Sequence, residues 1–336
     1  MVAKSRRRRH RPPGAAAGTE ARTEARADGR TEARAEAAAD ARGATAGTDT
    51  YAFVRAPRLL GGLVPSAVGY HVEDQPQGGL HRGLPSPYLT LIFSLHEPVV
   101  AGETPEQARG PEAYSADIVL GGLHQRPAFV RRPRHEAGIQ LAVHPLAART
   151  LTGMPAAELY TLTEDAADVL GGHAALVRER LCELGGWHER FTVLTDYLRA
   201  RTEDHERRTG VRPEVAEAWR WMAWHRGGGS MDGLAAHVAL SPRQLSTLFR
   251  RELGIGPKQA SRLMRFEHAR QRIARTLQRG APLDLADVAA HCGFYDHSHL
   301  VRDFHQYTGL SPTAWIAEEH RNIQAGGHHV DEQWDP

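Results

Sequence analysis

Apolar positions in the last third of the chain recur at helical spacing, in two stretches about 54 residues apart that follow one plan. In the first, Leu234, Ala235 and Val238 share one face of a short helix. After Ser241-Pro242 the apolar stripe restarts at Leu245, Leu248, Phe249 and Leu253, offsets of 3, 4 and 8 from Leu245. The Ser-Pro pair reads as an N-cap followed by proline at the first helical position, where the missing N–H costs nothing. The opposite face offers Arg243, Gln244, Ser246, Thr247, Arg250 and Arg251, nearly all hydrogen-bond donors. Gly254-Ile-Gly-Pro257 then ends this helix and begins another.

The second stretch repeats the pattern with one extra residue in its turn. Asp284 caps a helix carrying Leu285, Val288 and Ala289, and Gly293 supplies the positive φ that the turn needs. Phe294 stands where Leu240 stands in the first stretch. Asp296 caps a further helix that buries Leu300 and Phe304 and turns His297, Ser298, Val301 and Arg302 outward. Thr308-Gly309 stops it, and Ser311-Pro312 opens a terminal helix through Trp315 and Ile316.

Lys258 to about Leu277 contains no proline or glycine and reads as one helix of about five turns. Leu263, Phe266, Ile273 and Leu277 are expected inside, and Arg262, Arg265, Arg270, Arg272 and Arg275 in water. Such a connector spans roughly 30 Å, close to the roughly 34 Å repeat of B-DNA. It is expected to hold two reading helices in successive major grooves of double-stranded DNA. Helix pairs with Ser-Pro starts also occur in helical proteins that bind no DNA. The duplication, the stiff connector and the arginine-rich outer face together favour DNA.

The small-residue first helix, Ser241-Pro-Arg-Gln-Leu-x-x-x-Phe249, Arg265-Phe-x-x-Ala-Arg270, Gly293-Phe294 and Gly309-Leu-Ser-Pro312 resemble the AraC-type transcriptional regulators. The resemblance covers roughly residues 213–320 and implies an all-α, seven-helix domain with two helix-turn-helix motifs. Its first helix would be Pro213–His225, with Trp219, Trp221 and Trp224 on it. Recognition helices are expected at about 242–253 and 297–307. By position, the base-reading sites fall on Arg243, Ser246 and Thr247, and on His297, Ser298, Val301 and Arg302. Arginine can bond guanine bidentately, and valine can meet a thymine methyl. Arg250, Arg251 and Lys258 suit phosphates, which position the protein without reading sequence.

Charge divides the two units. Residues 243–279 hold ten Lys/Arg against two acids, a balance of +8. Residues 280–320 hold Arg302 alone against six acids, a balance of −5. Phosphate attraction is therefore expected mainly from the first unit and the connector.

Residues 51–150 change period. Val64, Val68, Tyr70 and Val72 alternate, and Tyr88-Leu-Thr-Leu-Ile-Phe-Ser-Leu95 is rich in strand formers. Ile118–Leu120, Phe129-Val130 and Ile139–Val143 are short apolar runs punctuated by glycine and proline, as in an all-β sandwich or barrel. Helices are expected from about 155 to 208. Similar regulators carry a cupin-like β-barrel with trailing helices here, and His81-Arg-Gly-Leu-Pro-Ser86 resembles a turn found in one subgroup. The fold class expected is α+β: residues 1–48 a low-complexity tail, 49–208 the cupin-like sensory or oligomerisation domain, 213–321 the DNA-binding domain, and 322–336 a flexible tail.

His81, Arg82, His96, His124 and His144 are candidates for lining a barrel pocket, yet metal-binding cupin spacing is absent from the sequence. The cluster His291, Cys292, His297 and His299 offers only one cysteine, so no zinc and no cofactor are expected. Thr19-Glu-Ala-Arg22 recurs at Thr23–Arg26 and Thr31–Arg34 in a segment without Leu, Ile, Phe or Trp, which cannot bury enough surface to fold by itself. Cys182 and Cys292 give no disulfide framework and suit a reducing cytoplasm. Apolar runs fall far short of about 18 residues, so no membrane span is expected. A DNA-repair methyltransferase using this module would need more cysteines than two. The competing readings are a nonspecific architectural DNA binder and a cupin-type enzyme fused to a DNA-binding domain. RNA polymerase, a small-molecule effector and a second copy of the chain are the further candidate partners.

Overall fold

The computed structural model describes residues 51–56, 60–73, 78–159, 164–206, 210–319 and 332–333. The expected tail at 1–48 lies outside the described residues, as does the segment 322–336 apart from Glu332–Gln333. The architecture is α+β.

The first half is antiparallel sheet. Strands β1 (Tyr51–Ala56), β2 (Ser66–Val72), β3 (Leu80–Gly83), β4 (Leu89–Ser94), β5 (Val99–Gly102), β6 (Tyr114–Ala116), β7 (Ile118–Gly121), β8 (Ala128–Arg131), β9 (Glu136–Val143) and β10 (Glu164–Asp165) are joined by β11 (Glu332–Gln333), which pairs parallel to β1. One sheet has the order β10-β7-β4-β9-β2-β1-β11 and the other β3-β8-β5-β6. Among the described residues no strand is hydrogen-bonded to both sheets, so the expected cupin-like layer is open rather than a closed barrel. Leu89, Leu91 and Phe93 on β4 alternate into the core with Ile139, Leu141 and Val143 on β9.

The alternation expected for β2 is present and Val72 is buried on that face, but Val68 and Tyr70 are only half-buried while Ala67 and Gly69 are fully covered on the other. The reason is a close approach. A Cβ on Gly69 would stand 2.4 Å from the Trp187 ring, so only glycine lets that indole lie on the strand. Trp187 opens a 20-residue helix, Trp187–Glu206. In chain order the helices are α1 (Pro105–Arg109), α2 (Ala148–Thr152), α3 (Ala166–Leu170), α4 (His173–Glu183), α5 (Trp187–Glu206), α6 (Pro213–Trp224), α7 (Met231–His237), α8 (Pro242–Leu253), α9 (Pro257–Gln278), α10 (Leu285–His291), α11 (His297–Thr308) and α12 (Pro312–Glu319).

Helices α6–α12 are the seven expected. Their core is continuous with that of the sheets, and the described residues form one compact unit. Side-chain contacts tie the two halves together. Arg149 Nε donates to Glu252 Oε1 at 2.6 Å. Arg82 Nε donates to Glu318 Oε1 at 2.8 Å, and its Nη1 to the Thr308 carbonyl at 3.3 Å. The His144 ring meets Trp219 edge-on at 5.7 Å between centroids. Of the histidines and arginine proposed above to line a barrel pocket, Arg82 and His144 are thus engaged with the helical half. His96 meets His135 edge-on, and His124 Nδ1 is bonded to the Arg126 carbonyl oxygen.

Candidate nucleic-acid interface

Helices α7 and α8 form one helix-turn-helix, and α10 and α11 the other. Each recognition helix is defined at both ends by its own residues. Ser241 Oγ accepts from the Gln244 N–H at 3.2 Å while Gln244 Oε1 accepts from the Ser241 N–H at 3.0 Å, a closed capping box. Asp296 Oδ1 accepts from the His299 N–H at 2.7 Å. Gly254 and Gly309 close the two helices in the left-handed conformation.

The turns are the same piece of backbone. The Leu240 N–H donates to the Ala235 carbonyl at 3.0 Å, and the Phe294 N–H to the Ala289 carbonyl at 3.0 Å. The residue before each takes a positive φ: Gly293 at 76° without penalty, and Ala239 at 53°, where a Cβ makes the conformation costly. The buried side is equally parallel. Leu245, Phe249 and Leu253 are buried on α8, and Leu300, Phe304 and Tyr307 on α11. Phe266 from α9 touches Phe304 and Tyr307, at 5.1 and 4.9 Å between centroids.

The outward faces carry the residues proposed from sequence. Arg243, Thr247, Arg250, Arg251 and Lys258 are exposed, and Ser246 is half-exposed. His297, Ser298 and Arg302 are exposed and Val301 half-exposed. Thr247 Oγ1 donates to the Arg243 carbonyl at 3.0 Å, which leaves its oxygen free to accept. Arg302 Nε donates to the Ser298 carbonyl at 3.3 Å, within its own helix.

The connector differs from expectation. Helix α9 is the centre of this half, burying Leu263, Met264, Phe266, Ala269 and Ile273, and most of its arginines are spoken for. Arg262 Nη2 donates to Asp303 Oδ1 at 2.6 Å and to Gln306 Oε1 at 2.7 Å. Arg265 lies over the Phe294 ring at 5.8 Å, half-buried. Arg270 pairs with Glu267, and Arg272 with Asp287. Burial alone would raise the Glu267 carboxyl, but Arg270 beside it holds it below its ordinary value.

Each of five acids in the second unit has a partner, although only Asp303 among them is buried. Asp284 and Asp296 are spent on N-caps, Asp287 and Asp303 on the connector, and Glu318 on Arg82. Sequence reasoning missed the Asp303 anchor. Its signal was an acid beside the stripe Leu300, Phe304 and Tyr307, where a charge must find a buried partner.

Of the cluster His291, Cys292, His297 and His299, two histidines are engaged separately. His291 Nδ1 lies 2.9 Å from Asp287, and His299 Nδ1 accepts from the Tyr295 N–H at 3.3 Å. Burial pushes the Cys292 thiol up to about 11. Among the described residues no three His, Cys, Asp or Glu are gathered to hold a metal ion, and no helix is long and apolar enough to cross a membrane.

Two matching helix pairs on one core, with capped recognition helices facing outward, define a tandem helix-turn-helix module. Residues 234–318 match the family model described as a helix-turn-helix domain, and this part of the chain is an AraC-type helix-turn-helix DNA-binding domain. The arabinose operon regulatory protein of Escherichia coli (strain K12) is 35% identical over 105 residues, 31% of this chain and 34% of that protein. The HTH-type transcriptional regulator GbdR of Pseudomonas aeruginosa is 32% identical over 82 residues, 24% of this chain and 21% of that protein. The chain thus spans at most about a third of the length of these curated relatives. Among solved structures, ToxT from Vibrio cholerae aligns with TM-score 0.43 at 9% identity, covering 79% of this chain and 97% of that one. The DNA-binding domain of AdpA in complex with a target DNA aligns with TM-score 0.29 at 29% identity, covering 34% of this chain and 99% of that one.

Proposed function

We propose that the whole chain is a sequence-specific transcription regulator and not an enzyme. The recognition helices α8 and α11 enter successive major grooves of one duplex. Arg243, Ser246 and Thr247 read bases in one groove, and His297, Ser298, Val301 and Arg302 in the next. Arg250, Arg251 and Lys258 hold phosphates. One observation carries this reading: both helices keep their N-terminal polar residues in solvent while their apolar faces share a single core. Reading by the N-terminal residues of the second helix is how such motifs dock. The names of the relatives, regulators of transcription, point the same way.

In this reading residues 49–208 form the sensory or oligomerisation part and 213–321 the DNA-binding part, working in the cytoplasm. An effector, a second copy of the chain and RNA polymerase complete the partners. Selection of bound duplexes from a random pool by the full chain tests it. The expected result is one enriched motif preferred over unrelated DNA by about 10³-fold or more. Equal binding to all duplexes would refute sequence-specific regulation in favour of architectural binding.

A further inference from the structure

We infer that Tyr295 is a DNA contact of the second unit, its phenol donating a hydrogen bond to a backbone phosphate at the mouth of the second groove. The inference rests on the DNA-binding reading above and adds a residue to it.

The two units place Tyr295 by comparison. Leu240 and Phe294, 54 residues apart, make the same backbone bond to the preceding helix. The N-caps that follow, Ser241 and Asp296, are 55 apart, as are Leu245 and Leu300, Phe249 and Phe304, and Gly254 and Gly309. Tyr295 is therefore the single inserted residue. The first unit shows that the turn closes without it, so folding does not require it. Its side chain is 93% exposed. Its backbone is nonetheless held, because its N–H donates to His299 Nδ1 at 3.3 Å. The insertion thus presents a phenol from a fixed point just before the exposed pair His297 and Ser298.

The offset of 55 also shows what the second unit lacks. Arg250, Arg251 and Lys258 correspond to His305, Gln306 and Thr313. Gln306 is already bonded to Arg262. The fixed cations suited to phosphates in the first unit are absent from the same positions in the second. Tyrosine is a regular phosphate donor and adds no charge. A residue immediately before the N-cap stands at the rim of the groove, where the phosphates run, rather than on its floor.

The test compares wild type, Tyr295→Phe and Tyr295→Ala, as full chains, on the duplex recovered by wild type from the random pool and on an unrelated duplex. Tyr295→Phe removes only the hydroxyl and should weaken binding about five- to tenfold on both duplexes alike. The ratio between the duplexes should stay within about twofold, and the salt slope should be unchanged, because a neutral donor displaces no counterion. Tyr295→Ala should match Tyr295→Phe, with circular dichroism and melting temperature as in wild type. Binding by Tyr295→Phe within about twofold of wild type overturns the inference, whatever the alanine variant does. Loss of preference instead of affinity also overturns it, by making Tyr295 a base contact. Wild type binding no duplex would bring down the DNA-binding reading itself, whereas a silent Tyr295→Phe with wild-type binding intact would refute this inference alone.

Discussion

Arg262→Ala should be among the most destabilising single changes in the helical half, although Arg262 sits on a helix whose arginines sequence alone would leave in water. Its Nη2 donates to Asp303 Oδ1 at 2.6 Å, and Asp303 is 1% exposed. Among the described residues the other carboxylate oxygen, Oδ2, is buried without a hydrogen-bond partner. Removing the guanidinium leaves a buried charge uncompensated, which costs about 3–5 kcal/mol. Two neighbours soften the loss: His299 Nε2 lies 3.9 Å from Asp303 Oδ1, and Arg265 also attracts that carboxylate. The lower end of the range, about 3 kcal/mol, is therefore expected. In a chain of 336 residues that is a fall of about 4–5 °C in melting temperature. Denaturant titration of Arg262→Ala, Asp303→Asn and the double variant measures it. Once Asp303 is neutral, losing Arg262 should cost about 1 kcal/mol or less, leaving a coupling of about 2 kcal/mol. DNA affinity should fall with stability in Arg262→Ala, because Arg302 and Asp303 are adjacent on one helix. Additive costs in the cycle, or a loss under about 1 kcal/mol for Arg262→Ala, would refute the anchor.

Arg243→Ala should relax preference at one base position by about 1–3 kcal/mol in a competition panel; uniform loss on all duplexes would make it a phosphate contact instead. Arg250, Arg251 and Lys258 on phosphates predict a log–log salt slope of about −3 or steeper, and Lys258→Ala should reduce it by about 1; a flat dependence on potassium chloride would contradict this. Burial lowers His144, packed on Trp219, from 6.5 to about 4. The unfolded chain then takes up this proton first, so the contribution is fully present above about pH 6.5 and lost as pH falls toward 4, at up to about 1.4 kcal/mol per pH unit. His144→Gln should flatten that limb of a stability–pH profile, and an identical profile would show that other groups govern it.

The helix-turn-helix units were legible because their determinants are local. Ser241, Asp284 and Asp296 cap within three residues, and the apolar stripes repeat every three or four. The strand-rich character of residues 51–150 was legible in the same way, from composition and alternation over a few residues. Less legible was which face of β2 would be covered. That followed from Trp187, which lies more than a hundred residues away and needs Gly69 beneath it. The openness of the sheets likewise depends on which distant strands pair, and no short pattern encodes that.

The order and type of the elements in the helical half, with the residues turned outward on each recognition helix, are consequences of the amino-acid sequence alone. The fate of its charges is not. A tally of arginines and acids predicted a basic connector beside an acidic second unit, yet Arg262 and Arg272 spend themselves on Asp303 and Asp287, while Arg82 crosses from the sheets to Glu318. Whether a charged group reaches solvent or a partner is settled by which elements pack together, because a buried carboxylate must be compensated within about 3–4 Å and the compensating residue can come from anywhere in the chain.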